Sequence, residues 1–234
     1  MKPINLAVIP ARGGSKRIPR KNIKKFNGKP MLAWAIEAAK RSQLFDEVVV
    51  STDDQEIASI GRDWGASTPF IRPRELADDF SPTLPVVQHC LEHFVLKGRQ
   101  LGYVCCLYPC TPFVKSEDLV GSLDMLKSDV RPFVYAVGEY PHPIQRALRL
   151  ESNGALKFLN SSYELKRTQD LEVFYHDLGQ FYWAYGNDWL NAKTIHSNAL
   201  GYTIQTSKFI DIDTMEDWHR AEFFANYIGL GRED

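Results

Sequence analysis

The sequence lacks the features that mark membrane-spanning and secreted proteins. No apolar run approaches the roughly 18–20 residues that a membrane helix needs. The first residues lead directly into a strand pattern, without the apolar region of a signal peptide. The four cysteines include no Cys-x-x-Cys pair and match no zinc-binding spacing. We therefore expect a cytoplasmic protein with no membrane partner.

Several signatures of chemistry are missing as well. The glycine-containing loop after the first strand is not closed by Gly-Lys-Ser/Thr and is not a Gly-x-Gly-x-x-Gly loop, so the usual nucleotide fingerprints do not apply. No Ser/His/Asp or Cys/His set has a persuasive spacing, so covalent catalysis has no candidate. The 28 lysines and arginines nearly balance the 29 aspartates and glutamates, which argues against a nucleic-acid partner.

The chain instead alternates strand and helix patterns, which predicts an α/β fold with a mostly parallel sheet covered on both faces. Residues 138–180 break this alternation and contain an Asn153-Gly154 hairpin signal. We expect residues 1–137 and 181–234 to form the core and residues 138–180 to project from it. The predicted core strands are 5–9, 47–51, 103–107, 133–137, 181–184, 200–205 and 209–212.

The first strand leads into a loop that combines glycines with positive charge. Gly13 and Gly14 allow sharp bends and close approach of the backbone to a ligand, and successive N–H groups in such a loop form an anion site. A solvated connection or a nucleic-acid patch is the alternative interpretation. Five cations occupy this basic loop, residues 10–21: Arg12, Lys16, Arg17, Arg20 and Lys21.

A pair of carboxylates, Asp211 and Asp213, follows a predicted late strand. Residues i and i+2 of a strand share a face, so the two side chains are expected to converge. Convergent carboxylates suit Mg²⁺, which commonly bridges to substrate phosphates. Alternatively, Asp213 caps the last helix while Asp211 is solvated. Asp53 and Asp54 pose the same choice between a helix cap and a functional role.

Other polar residues are compatible with binding but do not establish it. Arg72 lies in a stiff proline-containing loop and could direct its guanidinium toward a base or phosphate, or could be solvated. His142 and Gln145 lie among prolines in the projecting segment, where a histidine can equally be structural. Cys105 and Cys106 are predicted to be core residues, whereas Cys110 follows a strand and could line a pocket.

Six segments together resemble a known family. The run Ile9-Pro-Ala-Arg-Gly-Gly-Ser-Lys-Arg-Ile-Pro-Arg-Lys-Asn-Ile23 is similar to the signature loop of the cytidylyltransferases that activate nine-carbon α-keto acid sugars. The resemblance spans nearly the whole chain. It continues through Gly28-Lys-Pro-Met-Leu-Ala-Trp-Ala-Ile36, Val49-Val-Ser-Thr-Asp-Asp54, Arg72-Pro-Arg-Glu-Leu76, Tyr108-Pro-Cys-Thr-Pro112 and Ile210-Asp-Ile-Asp213.

Two departures from the sialic acid synthetases of this family point to another branch. Arg17 and Arg20 replace residues that are usually small, apolar or glycine. With the segment Tyr140-Pro-His-Pro-Ile-Gln-Arg146, they resemble the branch that uses pseudaminic acid, and this puts sialic acid in doubt as the substrate.

The resemblance implies a Rossmann-like nucleotidyltransferase fold and assigns roles to individual residues. The implied catalytic residues are Arg12, Lys21 and Asp211. The implied nucleotide-binding residues are Ala11, Arg12, Gly13, Gly14, Ser15, Lys21, Asn22, Arg72 and Ser81. Asp211 and Asp213 match the metal-binding pair, and His142, Gln145, Gln180 and Tyr182 match the sugar side. The projecting insertion packs against a second subunit in the family, which implies a homodimer.

The predicted reaction is therefore CTP plus pseudaminic acid giving CMP-pseudaminic acid and diphosphate, with Mg²⁺. A CMP-sialic or CMP-legionaminic acid synthetase is the nearest alternative. Two other classes stay open. A glycosyltransferase would use Asp211-Ile-Asp213 as a metal motif and release a nucleotide. A non-catalytic sensor would bind CTP and release nothing.

Overall fold

The computed structural model describes residues 2–78, 81–205 and 209–231. Within these ranges, no helix combines the length and the apolar character needed to cross a membrane. The strands are β1 (Ile4–Pro10), β2 (Lys25–Phe26), β3 (Lys29–Pro30), β4 (Glu47–Ser51), β5 (Leu101–Leu107), β6 (Phe133–Glu139), β7 (Leu148–Leu150), β8 (Leu156–Phe158), β9 (Tyr175–Tyr185) and β10 (Ala199–Thr203). The helices are α1 (Met31–Ser42), α2 (Gln55–Asp63), α3 (Thr83–Leu96), α4 (Ser116–Lys127), α5 (Gly186–Asn191) and α6 (Met215–Tyr227).

The central sheet has six strands in the order β10-β6-β9-β5-β1-β4. The pairs β1–β4, β1–β5 and β10–β6 are parallel, whereas β9 runs antiparallel to both β5 and β6. The predicted mostly parallel α/β sheet is thus confirmed, with one reversed strand in its middle. That strand places residues from the end of the projecting segment next to the centre of the sheet.

Alternation along β1 explains why both faces of the sheet are covered. Ala7 and Ile9 face one buried cluster, while Leu6 and Val8 face another. Side chains of successive strand residues point to opposite faces, so an apolar strand needs a helical layer on each side. The first cluster includes residues of α1 and α4, and the second includes residues of α3 and α5.

A third buried cluster fixes the basic loop against the end of the chain. Ile18 is fully buried there together with Phe26, Trp218 and Ile212. The ring of Phe26 lies 5.4 Å from that of Trp218 at nearly a right angle, an arrangement that aromatic pairs favour. The apolar residue within the cationic loop therefore anchors it beside α6.

Several local predictions are confirmed by the geometry. The Asn153-Gly154 signal forms the β7–β8 hairpin, with Gly154 at a φ of +85°. Asp54 caps α2 by accepting hydrogen bonds from the N–H groups of Glu56 and Ile57. At the start of α6, Thr214 and Asp217 form a capping box. Cys105 and Cys106 are fully buried.

The prediction of a strand over 209–212 is wrong. Of these four residues, all described, none belongs to a strand. Ile210 and Ile212 instead pack into the third cluster. Residues 206–208, which precede this segment, lie outside the described residues.

Candidate active site

A cleft of about 820 Å³ opens at the carboxyl ends of β1 and β5. Pro10 ends β1 and Tyr108 follows β5, and both line the cleft. Open α/β sheets bind ligands at this edge, where loops leave adjacent parallel strands. The remaining walls come from the basic loop, residues 72–78 and 81–83, the middle of β9 and residues 211–213.

The basic loop is held in place by polar contacts with the end of β4. The N–H of Gly13 donates to Asp53 Oδ1 at 3.0 Å. A Cβ at position 13 would lie 2.9 Å from Asp54 Oδ2, so the close approach requires glycine. Arg20, at a φ of +56°, pairs with the carboxylates of Asp54 and Glu56. Asp53 and Asp54 therefore have structural roles, one as a loop tie and one as a cap.

Asn22 supports the loop from below. It is buried, and its Nδ2 donates to the carbonyl oxygen of Arg12 at 2.9 Å. The Arg12 guanidinium in turn donates from Nη1 to the carbonyl oxygen of Asp78 at 2.6 Å. Lys21 Nζ donates to the carbonyl oxygen of Ile212 at 2.6 Å, which links the loop to the acidic segment. These contacts direct two cations into the cleft before any ligand is bound.

Arg72 is the strongest indication of an anionic or acceptor ligand. Its side chain lines the cleft and is only 4% exposed, yet Nε and Nη2 have no hydrogen-bond partner. Burial lowers the pKa of this guanidinium, and the charge of Arg12 lowers it further, while Asp53 opposes the shift. Buried donors without partners are costly, and Nε and Nη2 of Arg72 are therefore available to acceptor atoms of a ligand.

Asp211 and Asp213 both line the cleft, although they do not lie on a strand. Loss of solvent around Asp211 and, secondarily, the negative charge of Asp213 raise the pKa of Asp211. Both oxygens of Asp213 accept hydrogen bonds from Arg17, each at 2.9 Å. Among the residues of the ranges given above, no three or more His, Cys, Asp and Glu side chains form a group that could hold a metal. Two carboxylates nevertheless fit Mg²⁺, which protein sites commonly hold by one or two carboxylates plus substrate phosphates.

The opposite wall is formed by β9 and is richer in hydroxyl groups. The Tyr182 hydroxyl donates to Asp177 Oδ2 at 2.8 Å, and Asp177 Oδ1 accepts the N–H of Gly179 at 2.8 Å. His196 Nε2 lies 3.1 Å from the same Oδ2. The ring of Tyr108 lies 5.5 Å from that of Tyr182. This wall therefore presents a fixed carboxylate and aromatic surfaces, which suit a polar organic ligand.

The cleft brings together nine of the residues that the sequence assigned to a site: Arg12, Ser15, Lys21, Asn22, Arg72, Ser81, Tyr182, Asp211 and Asp213. Ala11, Gly13 and Gly14 lie next to them in the chain without lining the cleft, and Ala11 is fully buried in the core. A Cβ added at Gly14 would have no atom within 4 Å, so a larger residue would fit at this position without a steric clash.

Three residues assigned to the sugar side lie elsewhere. Gln180 lines a separate cavity of about 200 Å³, because β9 shifts its register on β6 between Asp177 and Tyr182 and so loses strict alternation. Gln145 donates from Nε2 to the carbonyl oxygen of Glu172, within the projecting segment. His142 belongs to the same segment and does not line the cleft. Their roles in sugar binding stay predictions.

Sequence reasoning missed several residues of the cleft. Asp177 gave only a positional signal, since it precedes the Gly179-Gln180 pair where the core resumes. Tyr108 belonged to a predicted loop after a strand, and Cys110, left open at that stage, does line the cleft. Burial raises the pKa of the Cys110 thiol to about 11, which keeps it protonated at neutral pH.

Comparison with known proteins identifies the family. Residues 6–208 match the cytidylyltransferase family model. A pseudaminic acid cytidylyltransferase of Campylobacter jejuni is 39% identical over 216 residues, covering 91% of this chain and 92% of that protein. A CMP-N,N'-diacetyllegionaminic acid synthase of Legionella pneumophila is 34% identical over 226 residues, covering 93% and 94%.

The fold has relatives among solved structures as well. A CMP:2-keto-3-deoxy-manno-octonic acid synthetase solved with CTP superimposes with a TM-score of 0.71 at 16% identity, covering 96% of this chain and 99% of that one. At this identity the likeness concerns the fold alone. The match of the family model over most of the sequence and the identity to full-length relatives lead to one conclusion: the chain belongs to the cytidylyltransferase family.

Proposed function

We propose that this protein transfers CMP from CTP to a nonulosonic acid of the pseudaminic type and releases diphosphate. The observation that carries the proposal is a single cleft that combines Arg12, Lys21 and the buried Arg72, whose Nε and Nη2 have no hydrogen-bond partner, with the carboxylates of Asp211 and Asp213. Such a cleft offers cations to a triphosphate and oxygen ligands to its metal ion. The 39% identity to a pseudaminic acid cytidylyltransferase supports the choice of sugar.

The proposed chemistry is an attack of the sugar's anomeric hydroxyl on the α-phosphorus of CTP. A new P–O bond forms, the bond between the α- and β-phosphates breaks, and the hydroxyl proton passes to solvent. Arg12 and Lys21 neutralise the departing diphosphate. Because their contacts with Asp78 and Ile212 fix them beforehand, little reorganisation is needed in the reaction.

Other residues position the nucleotide in this proposal. Ser15 and Asn22 hold the loop around the phosphates. Arg72 supplies buried donors to the nucleotide, and Ser81 stands nearby with its hydroxyl bonded to Asp78 Oδ1 at 2.7 Å. Positioning of this kind lowers the entropic part of the barrier.

Asp211 and Asp213 would hold Mg²⁺ in the working enzyme. The bound ion stabilises negative charge on the phosphate oxygens. Desolvation and the nearby charge of Asp213 raise the pKa of Asp211, and a cation bound by both carboxylates would favour their charged forms.

Tyr182 supplies the sugar side of the cleft in this proposal, whereas His142, Gln145 and Gln180 do not line the cleft. A second candidate function is the same reaction with legionaminic acid. The 34% identical CMP-N,N'-diacetyllegionaminic acid synthase matches the chain over as much of its length as the pseudaminic acid cytidylyltransferase does. The two acids differ in stereochemistry, which a few polar contacts can discriminate. CTP is available in the cytoplasm, which is where we propose that the enzyme acts.

We further propose that residues 138–180 mediate a homodimer, while 1–137 and 181–234 form the nucleotide-binding core. Exposed large apolar side chains are concentrated in this segment, and a concentration of this kind marks interaction surfaces. They are Tyr140, Ile144, Leu148, Leu150, Leu156, Leu159, Leu165, Val173, Phe174 and Tyr175.

The direct test measures diphosphate release from CTP and Mg²⁺ with pseudaminic, legionaminic and N-acetylneuraminic acids supplied in parallel. We expect fast release with pseudaminic acid alone. Release with another of these sugars would keep the reaction and correct the substrate. Binding of CTP without release in any reaction would contradict the proposed function.

A further inference from the structure

Arg17 makes a contact that the proposed reaction does not explain. Its Nη1 and Nη2 donate to Oδ2 and Oδ1 of Asp213, both at 2.9 Å. The side chain of Arg17 is 66% exposed and that of Asp213 is 38% exposed, so the pair lies at the solvent-facing side of the cleft. This parallel two-donor geometry is the strongest form of arginine–carboxylate contact.

The contact competes directly with metal binding. A cation approaching Asp213 needs at least one carboxylate oxygen, and the Arg17 guanidinium repels a cation as long as it covers both. Lys21 is placed differently, because its Nζ donates to the carbonyl oxygen of Ile212 and lies 3.6 Å from Asp213 Oδ1. Arg17 is therefore the group that occupies the carboxylate in the ligand-free protein.

Arg17 is also able to change partners. Ile18, the next residue, is fully buried in the third cluster, so the backbone is anchored while the long, exposed side chain can rotate. Arg17 lines the same cleft as Arg12 and Arg72, where a triphosphate would offer it a more highly charged anion. Arg20, by contrast, is fixed by Asp54 and Glu56.

We propose that Arg17 is a positioning residue that holds Asp213 in the nucleotide-free enzyme and releases it by moving to the nucleotide phosphates. Asp213 thus becomes a metal ligand only when nucleotide is present. The proposal rests on the proposed function, since it assumes that CTP and a divalent cation share this cleft. It accounts for an arginine at position 17, whose charge would otherwise oppose metal binding.

Binding of Mn²⁺ to the nucleotide-free protein tests this directly, with free Mn²⁺ followed by electron paramagnetic resonance. We expect weak binding to the wild type and roughly two- to fivefold tighter binding to Arg17→Lys, which keeps the charge but cannot cover both oxygens. Arg17→Ala should gain at least as much. Arg220→Ala is the matched control, because it removes a cation that pairs with Asp217 rather than Asp213. Adding Asp213→Asn to Arg17→Lys should abolish the gain.

Two results would overturn the proposal. One is tight Mn²⁺ binding by the nucleotide-free wild type. The other is tighter Mn²⁺ binding by Arg17→Ala but not by Arg17→Lys, because the positive charge of Arg17 alone would then explain the effect. Calorimetric titration of CTP in the presence of EDTA separates this from failure of the proposed function. If the wild type binds CTP and Arg17→Ala binds it several-fold more weakly, the exchange of partners is supported. If the wild type binds no CTP either in EDTA or in a parallel titration with Mg²⁺, the proposed function itself fails, and this inference fails with it.

Discussion

The basic loop and the projecting segment both leave the central sheet, but they are held in different ways. The basic loop is tied to distant parts of the chain, through Gly13 to Asp53, Arg20 to Asp54 and Lys21 to Ile212. The projecting segment shows local contacts, such as the β7–β8 hairpin and the pair between Arg167 and Asp170. Its apolar side chains are largely exposed, whereas Ile18 in the basic loop is fully buried.

The two regions therefore differ in what they offer to other molecules. The basic loop is tied at several points, and its cations Arg12 and Lys21 are directed into the cleft. The projecting segment leaves many large apolar side chains exposed, and in the proposal above a second copy of the chain covers them. A substitution should therefore alter chemistry in the first region and association in the second. The predictions below test that division.

The largest effect is expected from Asp211→Ala. In saturating CTP and Mg²⁺, diphosphate release should fall roughly a thousandfold, since charge stabilisation by a metal ion is worth several kcal/mol. Asp211 lies outside the buried core clusters, so thermal unfolding should change little. Asp170→Ala in the projecting segment removes an acid that pairs locally with Arg167 and should leave the rate unchanged. An undiminished rate in Asp211→Ala would remove this residue from the mechanism.

The same substitution in the core and in the projecting segment should separate their contributions to stability. Leu6 is fully buried, so Leu6→Ala leaves a cavity in the core and should lower the free energy of unfolding by about 2–5 kcal/mol. Leu156 is 62% exposed, so Leu156→Ala should cost less than about 0.5 kcal/mol at low protein concentration. Urea unfolding of both variants provides the measurement. Equal losses would mean that the segment is part of the core.

Periodicity predicted the core of this fold because burial of alternate residues is a local property of a strand. Leu6, Ala7, Val8 and Ile9 read as a strand buried on both faces, and they are. The position of the site at the end of this strand followed from the same pattern. Gly13 is predicted to let the backbone approach a ligand closely, whereas the neighbour that the structure shows at this position is Asp54.

Contacts between distant residues could not be obtained in this way. Arg17 and Asp213 are 196 positions apart, and nothing local in either segment indicates that they pair. The separation of Gln180 from Tyr182 depends on a register shift in β9, which a period-two pattern cannot reveal. The strand expected at 209–212 failed because an apolar pattern does not show whether a neighbouring strand is available.

Association should respond to a charge in the projecting segment. Leu156→Lys places a cation among exposed apolar side chains and should raise the dimer dissociation constant at least tenfold, or about 1.4 kcal/mol. Leu96→Lys is the control, because Leu96 is 88% exposed at the end of α3, outside the segment. Sedimentation velocity over a range of concentrations measures both. A monomeric wild type, or equal effects of the two variants, would contradict the proposed dimer surface.

The smallest effect concerns the attachment of the basic loop to α2. The Arg20 hydrogen bond and charge, together with the N–H groups of Ile57 and Glu56, lower the pKa of Asp54 from 3.8 to about 2. A carboxyl whose pKa is lower in the folded state stabilises the fold above its unfolded pKa, and this contribution is lost as the pH falls through the folded pKa. Asp54→Asn retains a side-chain oxygen for the cap but loses the charge. The wild type should therefore be more stable than Asp54→Asn by about 1–2 kcal/mol at pH 5, with allowance for the exposure of Arg20.

Urea unfolding at steps from pH 5 toward pH 2 should show this difference shrinking below pH 4. The control is Asp124→Asn, which changes an exposed acid on α4 and should show little difference from the wild type at any pH. A difference that stays constant with pH would mean that the charge of Asp54 does not hold the loop, and the contrast between a tied loop and a free segment would lose its electrostatic part.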